Sequence, residues 1–149
     1  MKKWYSIIMV VLIALLFGFG VLRWQVQSKA SDTTIANSKQ SFMSISPIAG
    51  RAMIEKNKNN PDFIILDVRT PGEYASEHID GAMNLDYYSK SFRTNLNQLD
   101  KSKTYLIYCH SGRRSGLTLD MMRDLGFSGA YDIAGGMAAW KAKGLSYLK

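Results

Sequence analysis

Two short apolar runs constrain this chain most: Phe63-Ile64-Ile65-Leu66-Asp67-Val68 and Thr104-Tyr105-Leu106-Ile107-Tyr108. Neither alternates apolar with polar residues, so neither reads as a strand with one wet face. An unbroken run of this length suits a strand covered on both sides, as in a parallel sheet under crossover helices. The segments around the runs are helical in pattern or short. Ser46-Pro47 is an N-cap followed by proline at the first helical position, and that helix runs to about Lys58, where Asn59-Asn60-Pro61-Asp62 stops it. Thr70 caps a short helix over Pro71–Glu77, and Ala82-Met83-Asn84 is a short strand after Gly81. Helices are expected over Tyr88–Leu96, Ser115–Leu125 and Met137–Lys143, with a short strand at Ala130–Asp132. Strand and helix in alternation predict an open α/β sheet with helices on both faces.

The N-terminus follows a different pattern. Trp4 to Leu22 is 19 residues without a charge. As a helix it spans about 28 Å, close to the hydrocarbon thickness of a bilayer. Trp4 and Tyr5 stand at one end and Trp24 at the other, where an aromatic belt would lie, and Lys2 and Lys3 precede it. Residues 1–24 are therefore expected to be a transmembrane anchor that keeps the N-terminus cytoplasmic and places the rest on the extracytoplasmic side. The alternative is a signal peptide cleaved near Ala30, which would release a secreted domain. Residues 25–43 lack periodicity and are mostly small or polar, so they are expected to be a flexible tether, leaving 44–149 as the domain.

Composition removes several function classes. The net charge of +7 suggests nucleic acid until it is divided along the chain. Residues 1–40 hold five basic side chains against Asp32 alone, and the remainder is only mildly basic, without a Lys/Arg run, so no nucleic-acid partner is expected. A single Cys excludes an intrachain disulfide framework and a multi-thiolate metal site. His78 and His110 are too few for a zinc enzyme of the usual kind, and no metal site is expected. The domain is expected to be a monomer.

The lone thiol is placed where chemistry is expected. In open α/β sheets ligands bind outside the carboxyl ends of the strands. The run Thr104–Tyr108 ends at Cys109-His110-Ser111-Gly112-Arg113-Arg114, immediately before a helix. Loop amides and a helix dipole can converge there, and Arg113 and Arg114 add positive charge. Such surroundings lower a thiol pKa and favour a thiolate nucleophile. A buried structural Cys at a strand end would leave the following Gly and two Arg without a purpose. His110 is expected to point outward on the rim, and His78 to be a structural residue in a helix-to-strand turn.

Cys109-His110-Ser111-Gly112-Arg113-Arg114-Ser115 resembles the active-site loop of rhodanese-domain sulfurtransferases. Asp67-Val68-Arg69-Thr70-Pro71-Gly72-Glu73-Tyr74 through His78–Asn84 resembles the upstream signature of that family, and Asp132–Trp140 the closing one. The resemblance implies a small doubly wound domain with a five-stranded parallel sheet. It implies that Cys109 takes a sulfane sulfur from a donor such as thiosulfate and passes it, as a persulfide, to a thiol or other thiophilic acceptor. His110, Ser111, Gly112, Arg113 and Arg114 are then the substrate-binding loop for a small anionic donor. Asp67 and Arg69 support the site by pairing with helix-end partners beside it. No metal or organic cofactor is implied. Trp140, Tyr74 and the Gly135-Gly136 pair are expected to pack and turn rather than bind.

Two other classes compete. A Cys-dependent phosphatase or arsenate reductase would use a similar loop, but with five residues between Cys and Arg, whereas four separate Cys109 from Arg114. A non-catalytic membrane-tethered binding domain would have no need of an intact Cys, Gly and Arg loop.

Overall fold

The computed structural model describes residues 41–149. Five strands and five helices follow one another as β1 (Ser41–Ile45), α1 (Pro47–Lys56), β2 (Phe63–Asp67), α2 (Pro71–Ser76), β3 (Ala82–Asn84), α3 (Phe92–Asn97), β4 (Thr104–Tyr108), α4 (Arg113–Asp124), β5 (Gly129–Ile133) and α5 (Gly136–Ala142). The strands form one sheet in the order β1-β5-β4-β2-β3, with every pairing parallel. The two apolar runs are the neighbours β2 and β4, joined in register from Phe63 with Thr104 to Asp67 with Tyr108.

Side chains leave a strand on alternate faces, and each run supplies both cores. Leu66, Val68, Tyr105, Ile107 and Cys109 pack on one face with Phe92 and Leu96 of α3 and Leu119 and Met122 of α4. Ile65, Leu106, Tyr108 and Ile133 pack on the other with Met137 and Trp140 of α5, flanked by Met53 and Ile54 of α1 and Tyr74 of α2. Both faces of the runs are dry, which is why they show no polar alternation.

Local signals set the helix starts. The Ser46 hydroxyl accepts from the Ala49 amide at 3.2 Å, with Pro47 in the first turn. Thr70 and Glu73 form a reciprocal capping box at α2. Two helices start elsewhere than expected. The Tyr88–Leu96 helix begins only at Phe92, because Asp86 draws the chain into a turn by accepting from the Tyr88 amide at 2.9 Å. α4 begins at Arg113 instead of Ser115, so both arginines lie in its first turn.

The domain boundary also moves. Ser41–Met43, expected as the end of the tether, are part of β1, which pairs along its length with β5 from Ser41 with Gly129 to Ile45 with Ile133. Ser-Phe-Met-Ser-Ile lacks the unbroken apolar run that marks β2 and β4, and it docks on β5 with Phe42 and Ile45 packed against opposite cores. The anchor at 1–24 and the rest of the tether lie outside the described residues. Among the described residues no helix is long and apolar enough to cross a membrane.

Candidate active site

β4 delivers Cys109 to the carboxyl edge of the sheet, and the chain turns at once into α4. Gly112 makes that turn possible, with φ at +90° at the helix N-cap. The loop is held from behind by the start of α5. The Cys109 carbonyl accepts from the Met137 amide at 2.7 Å, and the His110 carbonyl from the Ala138 amide at 3.0 Å. With these carbonyls engaged on the outside, the loop amides are free to face inward. Gly112 N–H donates to Cys109 Sγ at 3.1 Å, and the Ser115 hydroxyl approaches the same sulfur at 3.5 Å.

The glycines of the β5–α5 turn are part of this support. A Cβ on Gly136, at φ +56°, would lie 2.3 Å from the Cys109 carbonyl oxygen, and one on Gly112 would lie 3.0 Å from the Gly135 nitrogen. The two loops interlock backbone to backbone. The Gly135-Gly136 pair therefore shapes the active-site loop as well as turning the chain, a role that no local sequence pattern reveals.

Burial works against ionisation of Cys109, which is only 1% exposed. The Ser115 hydroxyl and the amides of Ser115, Ser111 and Gly112 outweigh that cost and bring the thiol pKa below its ordinary value. The amides belong to the loop and the first turn of α4, where helix N–H groups lack intrahelical partners.

The two arginines of the loop differ. Arg114 is locked: its guanidinium makes two 2.8 Å hydrogen bonds to the Glu73 carboxylate and lies 5.4 Å from the Tyr88 ring centre. Arg113 is exposed and makes no ion pair among the described residues. Glu73, Tyr88, His110, Ser111, Arg113 and Arg114 line an open cleft of about 340 Å³ over the loop. Sequence reasoning missed Glu73 and Tyr88 here. The Thr70-x-x-Glu73 spacing signals the capping box, but it says nothing of Arg114, which is 41 residues away.

Asp67 and Arg69 lie one strand away on the opposite face of the sheet from the Cys109 side chain. Asp67 pairs in register with Tyr108, the residue before Cys109. Its carboxylate takes the Arg69 guanidinium at 2.7 to 3.0 Å, and both residues are buried. Arg69 also donates to the Glu77 carbonyl at the end of α2, and its guanidinium lies 5.5 Å from the Tyr108 ring centre. The pair ties α2 to the sheet. His78 is structural as well, stacked on Tyr74 at 4.1 Å and paired through its backbone with Leu148.

Glu73 supplies a pH-dependent element. The Arg114 hydrogen bonds hold its carboxyl at about 2, against the burial that would raise it. Its folded pKa is depressed, so its stabilisation is present above the ordinary 4.5 and is lost as pH falls through about 2. The thermal midpoint should therefore decline below about pH 4.5, and Glu73→Gln should flatten that part of the profile. Equal acid slopes for the two proteins would contradict this.

The model of the family described as rhodanese-like domain matches residues 51–143. A protein of Allochromatium vinosum named sulfurtransferase is 27% identical over 101 residues, covering 68% of this chain and 92% of the relative. The thiosulfate sulfurtransferase PspE of Escherichia coli is 34% identical over 70 residues, 47% of this chain and 67% of that protein. The crystal structure of a rhodanese-related protein from Thermoplasma volcanium superposes with a TM-score of 0.59 at 25% identity, covering 72% of this chain and 98% of that one. The chain spans only 61% and 57% of the length of two other curated relatives, from Synechocystis and Bacillus subtilis. The matched segment takes in the Cys109 loop, the Glu73 clamp and the Gly135-Gly136 brace, and on that extent of agreement this chain belongs to the rhodanese-like domain family.

Proposed function

We propose that this protein is a sulfurtransferase that carries a sulfane sulfur on Cys109. The observation that carries the reading is the inward-facing ring of donors on Cys109 Sγ at the start of α4, which lowers the thiol pKa despite burial. In the first half-reaction the Cys109 thiolate attacks the outer sulfur of thiosulfate. A sulfur–sulfur bond forms to Cys109, the donor's own sulfur–sulfur bond breaks, and sulfite leaves with the electron pair. Arg113 at the cleft mouth is the cation available to the incoming and departing anions, while Arg114 is held by Glu73. The same amides then hold the persulfide anion. In the second half-reaction an acceptor nucleophile, such as a thiolate or cyanide, attacks the outer sulfur and restores the Cys109 thiolate. Relatives named sulfurtransferase support the reaction class.

The loop length favours this reading over phosphoryl chemistry. Four residues between Cys109 and Arg114 make a compact ring, suited to one added sulfur. A phosphoryl group on the same Cys needs room for three equatorial oxygens. The native protein should form thiocyanate from thiosulfate and cyanide, with negligible hydrolysis of an aryl phosphate. Robust aryl-phosphate hydrolysis without thiocyanate formation would replace the proposal with a phosphatase.

The uncharged span from Trp4 to Leu22 supports a second part of the proposal, that the domain is tethered to a membrane on its extracytoplasmic side. With Ser41–Met43 assigned to β1, the tether is shortened to 25–40. The chain should fractionate with membranes and retain Met1. A mature N-terminus at Ser31 would instead establish a cleaved signal.

A further inference from the structure

Asp132 is a buried carboxyl in β5, 4% exposed, on the same face of the sheet as Cys109. A carboxyl taken out of water needs partners for both oxygens if it is to stay ionised. Oδ2 accepts from the Ser44 hydroxyl of the neighbouring β1 at 3.0 Å. Oδ1 is shut off from solvent and has no hydrogen-bond partner. The Ser115 hydroxyl of α4 also acts on this carboxyl, favouring its charged form.

Ser115 is itself fully buried, and its single hydroxyl hydrogen has competing destinations. Its oxygen is 3.5 Å from Cys109 Sγ and 3.2 Å from the Gly112 carbonyl, and the same hydroxyl acts on Asp132. An ionised Asp132 would draw that hydrogen to itself. A neutral Asp132 would donate its own proton to the Ser115 oxygen, which would give Oδ1 its missing partner and turn the Ser115 hydrogen toward the sulfur. Burial raises the Asp132 pKa, with the Ser115 and Ser44 hydroxyls opposing it.

We propose that Asp132 is a positioning residue for Cys109: as the neutral acid it leaves the Ser115 hydrogen on the sulfur, and as the carboxylate it takes that hydrogen away. The inference rests on the reading of Cys109 as the sulfur-carrying nucleophile. Thiolate and carboxylate are then like charges with one hydroxyl between them, and they titrate as a coupled pair. Few other charges bear on the pair. β1 contributes Ser44, and the β4 residue in register is Ile107. On α4, Arg114 is bound to Glu73 and Arg123 to Asp120, while Arg113 and Asp124 are exposed.

The chain has one Cys, so the ultraviolet absorbance of thiolate in the purified full chain reports Cys109 alone once Cys109→Ser is subtracted. The native titration should be broader than a one-proton curve. Asp132→Asn should give a one-proton curve with its midpoint lower by about one pH unit, since the amide cannot become charged. In a Ser115→Ala background the midpoint should be higher, and adding Asp132→Asn should move it by less than in the native background, since only the direct like-charge repulsion is left. Should Asp132→Asn fold poorly, Ser44→Ala provides the same test. It removes a donor that favours the carboxylate, so neutral Asp132 is enriched and the thiolate titration should move to lower pH, the same direction as in Asp132→Asn. A native one-proton curve unmoved by Asp132→Asn and by Ser44→Ala would overturn the proposal. So would an Asp132→Asn shift that is undiminished in Ser115→Ala. Failure of thiosulfate to load Cys109 would remove the sulfurtransferase reading and leave these titrations as they are.

Discussion

Cys109→Ser is expected to bring sulfur transfer down to the assay background while leaving the fold intact. The side chain sits at the focus of the loop donors, and no second thiol exists in the chain to replace it. A hydroxyl in that position is not ionised at neutral pH and forms no persulfide. The swap changes one buried atom for a slightly smaller one, so the stability change should be about 1 kcal/mol. Circular dichroism and thermal melting would establish the fold, and thiocyanate formation the activity. A variant that turned over thiosulfate at a rate comparable with the native protein would refute a Cys109-borne sulfur.

Gly136→Ala should have the next largest effect, although residue 136 supplies no side chain to the site. Its φ of +56° is unfavourable for alanine, and the new Cβ would lie 2.3 Å from the Cys109 carbonyl oxygen. Backbone must move on one side or the other. The left-handed conformation alone costs about 1–2 kcal/mol, and the overlap adds to it. A loop displaced by about 1 Å can lose about a hundredfold in rate. The expected outcome is a destabilisation of about 3 kcal/mol with at least a tenfold loss of sulfur transfer. Gly72→Ala is the contrasting substitution. It lies in α2 with nothing within 4 Å of its would-be Cβ, and its stability should be unchanged or slightly higher. Equal behaviour of the two variants would show that the Gly136 contact does not support the loop.

These contrasts explain what was legible in the sequence. β2 and β4 were readable because both of their faces are buried, which leaves an apolar run with a length and no phase. The Cys109 loop was readable because its residue types are contiguous and chemically unusual together. β1 was hidden because Ser41–Ile45 owes its strand to β5, more than 80 positions away in register. The early start of α4 was hidden because Gly112 serves as its N-cap through its backbone conformation, without a side-chain cap. The Glu73–Arg114 clamp, the Gly136–Cys109 contact and the Asp132–Ser115 neighbourhood share one property. Each joins residues far apart in the chain by packing across the carboxyl edge of the sheet. Motif spacing names the loop, and the surrounding elements decide which way its amides, its arginines and its serine face.

The central claim is that Cys109 itself carries the transferred sulfur, and intact mass spectrometry of the purified protein after brief exposure to thiosulfate tests it most directly. The account predicts a gain equal to one sulfur atom, absent in Cys109→Ser and removed by cyanide or by a reducing thiol. An unchanged mass, or the same gain in Cys109→Ser, would contradict it.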